Sequence, residues 1–151
     1  MSAAHQTPPG AVAGLATRQH NAGMPPSRFE PPEVEHVLAA VRRACRDLPE
    51  VSERLSHGGP AFFVRDKKCF VMFLDDHHGD GRLAIWCAAP DGVQAEMVET
   101  EPSRFFRPPY VGHRGWLGVH LREVEQDEVD AILLDAYRTV APKTLVAQLD
   151  R

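Results

Sequence analysis

The sequence predicts a two-layer α+β domain in which helices cover one face of an antiparallel five-stranded sheet. Three observations carry that expectation. Apolar residues recur at helical spacing in four stretches, alternate or run continuously in five short ones, and follow the order α-β-β-β-α-β-β-α-α. Runs of strands joined by short connections favour antiparallel pairing, with helices gathered on one side.

Residues 1–30 are rich in Ala, Gly and Pro, with pairs at Pro8–Pro9 and Pro25–Pro26. They lack the apolar period needed to offset ordering entropy, which predicts a flexible tail before a domain spanning 31–151. Pro31–Pro32 suit a first helical turn, since proline there loses no required N–H. Val34, Val37, Leu38, Val41 and Cys45 then form one apolar stripe. That helix ends before Leu48–Pro49, and Glu50 to Leu55 reads as one further turn.

The run Ser56-His57-Gly58-Gly59-Pro60 reads as a loop by composition. Strands are expected at Ala61–Arg65 and Lys68–Leu74, joined by a tight polar tip, and at Arg82–Ala88 beyond the turn DDHHGDG at 75–81. A helix with Val93, Met97 and Val98 on one side is bounded by Pro90 and Pro102. Phe105 to Tyr110 is extended but interrupted by Pro108–Pro109, which places it at a sheet edge or in a loop. Trp116 to Leu121 alternates cleanly, with Leu117, Val119 and Leu121 on one side. Glu125 to Ala141 carries the core stripe Val129, Ile132, Leu133, Ala136 and Val140, with acidic residues in its first turn where the helix dipole favours them. A short last helix follows Pro142, with Leu145 and Leu149 on one face.

One feature departs from this scheme. Cys69, Val71 and Phe73 alternate with Phe70, Met72 and Leu74, so that strand is apolar on both sides. A sheet with helices on one face does not need that, so a partner copy in a homodimer or a binding groove is expected on the other.

Composition narrows the function classes. The chain is 43% hydrophobic and 25% charged, with a formal net charge of −4. Dedicated polyanion binders carry excess positive charge, so any nucleic-acid binding must rest on a local patch. Three widely spaced cysteines without a CxxC pair read as free thiols in a reducing compartment. No apolar run is long enough for a bilayer and no signal-peptide pattern is present, so a cytoplasmic protein is expected, with no membrane association.

The patch is easy to locate. Arg104 to Arg122 holds four arginines, two histidines and four large aromatics, with no acidic residue. Arginines interleaved with aromatics suit nucleic acid, because guanidinium groups hold phosphates while rings stack on bases. The candidate anion-binding residues here are Arg104, Arg107, Tyr110, His113, Arg114 and Trp116. Arg65, Lys67 and Lys68 at the hairpin tip add three cations in four residues. His57, Tyr110 and His113 are candidates to surround a small-ligand or catalytic pocket. Ser56–His57 lacks both a GxSxG context and an orienting acid, so no catalytic residue is assigned. The acidic-histidine turn at 75–80 lacks metal-ligand spacing, and no metal or cofactor is expected.

Four segments together resemble one family: SHGGPAFFVRDKK, EPSRFF, PPYVGHRGWLGVHL and YRTVAPKTLVAQLD. In order and spacing they are similar to the MmcQ/YjbR family of small bacterial proteins, over about Val34 to Asp150. The resemblance implies an α+β domain of the secretion-chaperone-like and frataxin-like group, and DNA binding through a double-wing arrangement of two hairpins. It supplies no catalytic residue. The sequence therefore predicts a non-enzymatic binding protein with DNA as its first partner. A protein-interaction or chaperone-like module using the sheet face, and a small-ligand protein or enzyme around His57, Tyr110 and His113, are the alternatives.

Overall fold

A computed structural model of the chain describes residues 26–150; of the tail expected over residues 1–30, residues 1–25 lie outside them. Helix α1 (Pro31–Arg46) leads into a six-stranded sheet of β1 (Val51–Ser56), β2 (Gly59–Val64), β3 (Lys68–Asp75), β4 (Leu83–Cys87), β5 (Phe105–Phe106) and β6 (Leu117–His120). Helix α2 (Val93–Thr100) falls between β4 and β5, and α3 (Gln126–Val140) and α4 (Lys143–Leu149) close the chain. The strand order is β1-β2-β3-β4-β6-β5, and every pairing is antiparallel.

The extra strand corrects the expectation of a further helical turn at Glu50 to Leu55. Glu50 turns at φ 57° after Pro49, and Val51 to Ser56 then pairs residue by residue with β2. His57 (φ 55°) and Gly58 (φ 91°) form the two-residue connection, both in the left-handed region that primed hairpin turns require. The other parity of β1 ties it to α1. Glu53 accepts from Arg42 Nε at 2.8 Å and Nη2 at 2.6 Å, and from Arg46 Nη2 at 3.1 Å.

Hydrogen bonding from Arg42 holds the Glu53 carboxylate below its ordinary pKa, against the opposing effect of burial. A depressed carboxylate contributes stability above its unfolded pKa, roughly 4.3, and loses it as pH falls through the folded value. Glu53→Ala is therefore expected to cost about 2 kcal/mol at neutral pH, with the difference from wild type shrinking below about pH 4. Urea titrations at several pH values measure it, and a pH-independent difference would assign the loss to packing alone.

On the helix-covered face Cys87 lies opposite Val71 and Ile85 opposite Phe73. Beneath α3, Phe70 meets Tyr137 edge-on with ring centroids 5.7 Å apart. Phe70 reaches that side because the β2–β3 register slips next to it, where Phe62 faces Val71 but Phe63 faces Cys69. Tyr137, a core residue the helical stripe did not include, donates its hydroxyl to Pro49 O at 2.8 Å. Burial pushes the Cys87 thiol up to about 12 and raises Cys45 and Cys69 too, so none is a ready nucleophile.

The opposite face is buried without helices. Met72, Trp86, Gly118 and Phe106 lie in register across β3, β4, β6 and β5. Cationic and imidazole groups cover the rings: Arg54 over Phe63 at 3.6 Å, Arg82 over Phe106 at 3.9 Å, Arg114 over Trp116 at 5.1 Å, and His77 edge-on to Trp86 at 5.4 Å. Such contacts attract through the ring quadrupole. These contacts bury much of the helix-free face within one chain.

The domain begins earlier than Pro31. Phe29 is buried, Ser27 Oγ bonds Asp75, and Arg28 N and Nε both donate to Asp76 Oδ2, at 3.0 and 3.2 Å. Asp76 is only 8% exposed.

Candidate functional site

Two features separate clearly: a cationic end of the sheet, and a histidine-lined cavity on the open face. The cationic end is built by the β2–β3 turn. Arg65 (φ 54°) and Asp66 (φ 57°) reverse the chain, and Lys67 N donates to Val64 O at 3.0 Å. Arg65, Lys67 and Lys68 then line a cleft of about 570 Å³ with Thr139 and Lys143 at the junction of α3 and α4. Arg65 is paired with Glu50 at 3.0 Å, whereas among the described residues Lys67, Lys68 and Lys143 have no carboxylate partner. Part of this charge answers the negative C-terminal end of α3. On the helix-free face, Arg54 lies over Phe63 and within 3.9 Å of Asp66 Oδ1, and Arg114 lies over Trp116.

The 104–122 run is divided by its own fold. Phe105 and Phe106 point to opposite faces and are both buried. Arg104 is held by Glu101 and Glu128, on the helix side of the sheet, and Arg122 by Glu33 at 2.8 Å. Neither is a free phosphate ligand. Trp116, expected at a binding surface, is 3% exposed beneath Arg114 and so offers no face for stacking. Arg107, His113 and Arg114 remain exposed on the connection between β5 and β6. That connection is shaped by a short 3₁₀ turn at Gly112–Arg114 and by Gly115 at φ 83°. Helix α2 secures it through Gln94 Nε2, which donates to Gly112 O at 2.8 Å and to Trp116 O at 2.6 Å.

The cavity, about 450 Å³, lies between the β1–β2 turn, the 3₁₀ turn at His77–Gly79 and the Tyr110–Val111 corner. Its floor is the cross-strand pair Met72 and Trp86, and its rim carries His57, His77, His78 and Tyr110. His57 and Tyr110 were expected at a pocket; His113 is not among the lining residues. His77, His78, Met72 and Trp86 were missed there. The histidine pair was visible in DDHHGDG, but only the strand register places it over Trp86. Ser56 Oγ and His57 Nδ1 lie 2.9 Å apart on an exposed turn. Among the described residues no group of three His, Cys, Asp or Glu side chains is placed to hold a metal ion. No described helix is long and apolar enough to cross a membrane.

Together these features define a small α+β domain with a six-stranded open antiparallel sheet and a polar-rimmed cavity on its helix-free face. The YjbR family model matches residues 46–139, more than half of the chain, and the chain belongs to that family. The fold is similar to the crystal structure of Deinococcus radiodurans protein DR2400, of the DUF419 domain family. That match has a TM-score of 0.59 and 17% identity, covering 71% of this chain and 80% of the other. No curated protein matches the sequence.

Proposed function

We propose that this chain is a non-enzymatic binding protein that engages an anionic polymer, DNA first, at the cationic end of its sheet. The observation that supports this best is the cleft at the β2–β3 tip, where Lys67, Lys68 and Lys143 converge without carboxylate partners among the described residues. Clustered ammonium groups neutralise phosphates and release counterions even from a molecule that is net negative. Arg107, His113 and Arg114, exposed on the connection between β5 and β6, widen the footprint. Recognition of this kind rests on the phosphate backbone and carries weak sequence preference.

The test is the salt dependence of duplex DNA affinity. Each lost phosphate contact lowers the slope of log K against log salt by about 0.9, so Lys67→Ala/Lys68→Ala/Lys143→Ala is expected to reduce it by close to 3. Arg107→Ala/Arg114→Ala is expected to reduce it by close to 2. Absence of binding at low salt, or unchanged slopes in both variants, would remove this function.

A further inference from the structure

We propose that the cavity on the helix-free face is a binding site for a small planar aromatic carboxylate. This inference stands apart from the polyanion reading, because no lysine or arginine lines the cavity.

Shape comes first. The floor is flat and apolar, built by the opposed residues Met72 and Trp86. Aromatic rings stand around it at differing tilts: Tyr110 is 6.3 Å from Trp86 at 47°, and His77 is 5.4 Å from it at 85°. Rings so disposed accept a flat aromatic body by offset and edge contacts. A volume of about 450 Å³ lies in the range of small-molecule pockets. Gly58, at φ 91°, brings the β1–β2 turn to the cavity rim beside His77, whose ring atoms lie 3.9 Å from where a Cβ would sit.

Polarity then selects the ligand's functional group. The rim offers three imidazoles and the Tyr110 hydroxyl, while no carboxylate lines the cavity. Trp86 is 2% exposed, its indole N–H buried within the sheet face beneath the cavity. The site therefore calls for an acceptor. A carboxylate supplies two oxygens and the charge that imidazolium groups favour.

The charges facing His77 set the pH dependence. His57 approaches it from the β1–β2 turn, while His78 and Asp80 flank it on its own loop; Tyr110 is the other titratable group at the rim. Burial and the neighbouring imidazoles hold His77 below its ordinary pKa, with Asp80 opposing them. An entering carboxylate reverses that balance and draws a proton onto His77. Affinity then rises as pH falls through the histidine range.

The probes are 1-naphthoate and its neutral isostere 1-naphthamide, titrated into the full chain at about pH 6 and about pH 8. The two tryptophan indole N–H resonances report the binding. The Trp86 resonance is expected to shift saturably while that of Trp116 stays in place. Naphthoate is expected to bind about tenfold more tightly at the lower pH, and naphthamide equally at both. His77→Gln is expected to remove that pH dependence. The side chain is only half-buried, so the fold survives the change. Absence of any saturable Trp86 shift with either compound overturns the site. Equal affinities for the two compounds at both pH values overturn the carboxylate assignment.

Discussion

Asp76→Ala is expected to destabilise the domain by about 3 kcal/mol, a large share of what a single domain possesses. The carboxylate gathers three donors: Arg28 N at 3.0 Å, Arg28 Nε at 3.2 Å and Gly81 N at 2.8 Å. It thereby closes the 75–81 loop on itself and fastens the segment before α1 to the sheet. Alanine would leave two part-buried backbone N–H groups without their acceptor. It would also occupy φ 53°, ψ 48°, a left-handed conformation that aspartate tolerates better.

Burial by itself would raise the Asp76 pKa, but the N–H groups of Arg28 and Gly81 and the guanidinium together bring it below the ordinary value. The sign is that of a depressed carboxylate. Its contribution is complete above its unfolded pKa, about 3.9, and is lost as pH falls through the folded value. Asp76→Asn keeps the shape and the backbone tolerance but not the charge, so it should cost less and lose its deficit in acid. Urea unfolding across pH measures both, and a loss below about 1 kcal/mol for alanine would show that the loop holds without this carboxylate.

Gly59→Ala is expected to cost about 3 kcal/mol, at the upper end for overpacking, because the clash is with main chain. A Cβ on Gly59 would sit 2.3 Å from the Phe73 carbonyl oxygen on the adjoining strand. Relief requires β2 and β3 to separate. Gly79→Ala is the control: φ is 73°, but nothing lies within 4 Å, so only conformational strain of about 1 kcal/mol is expected. Equal midpoints for the two variants in thermal or urea unfolding would show that the strands can spread freely.

These sites illustrate where the sequence was readable and where it was not. Helices α1 and α3 were legible because each buries one stripe of its own residues, so a local period reports a tertiary fact. Strand β1 was not, because VSERLS has only Val51 and Leu55 as large apolar residues. It is fixed by the His57–Gly58 turn and by Glu53 reaching Arg42 and Arg46 on α1. The Gly58 of that turn was the available signal, and composition alone turned it into a loop.

The candidate surfaces follow the same logic. The hairpin tip was legible as a local run of cations, but Lys143, 75 positions after Lys68, joins it only through packing. Within 104–122, residue types alone marked Arg104 and Trp116 as ligands. The fold instead pairs one with two glutamates and buries the other. The cavity was half legible: His57 and Tyr110 were identified, while Met72 and Trp86 meet only through cross-strand register.

Gln94 carries this last point into mechanics. One carboxamide nitrogen has two hydrogens, and Gly112 and Trp116 take both. Helix α2 has no fully buried residue, so directed bonds of this kind count heavily in keeping it seated. Anything that remodels the loop bearing His113 and Arg114 must first free that amide, and anything that lifts α2 lets the loop go with it. Helix and loop are therefore tied through one polar side chain, beside the partly buried Met97 and Val98 that pack on the core.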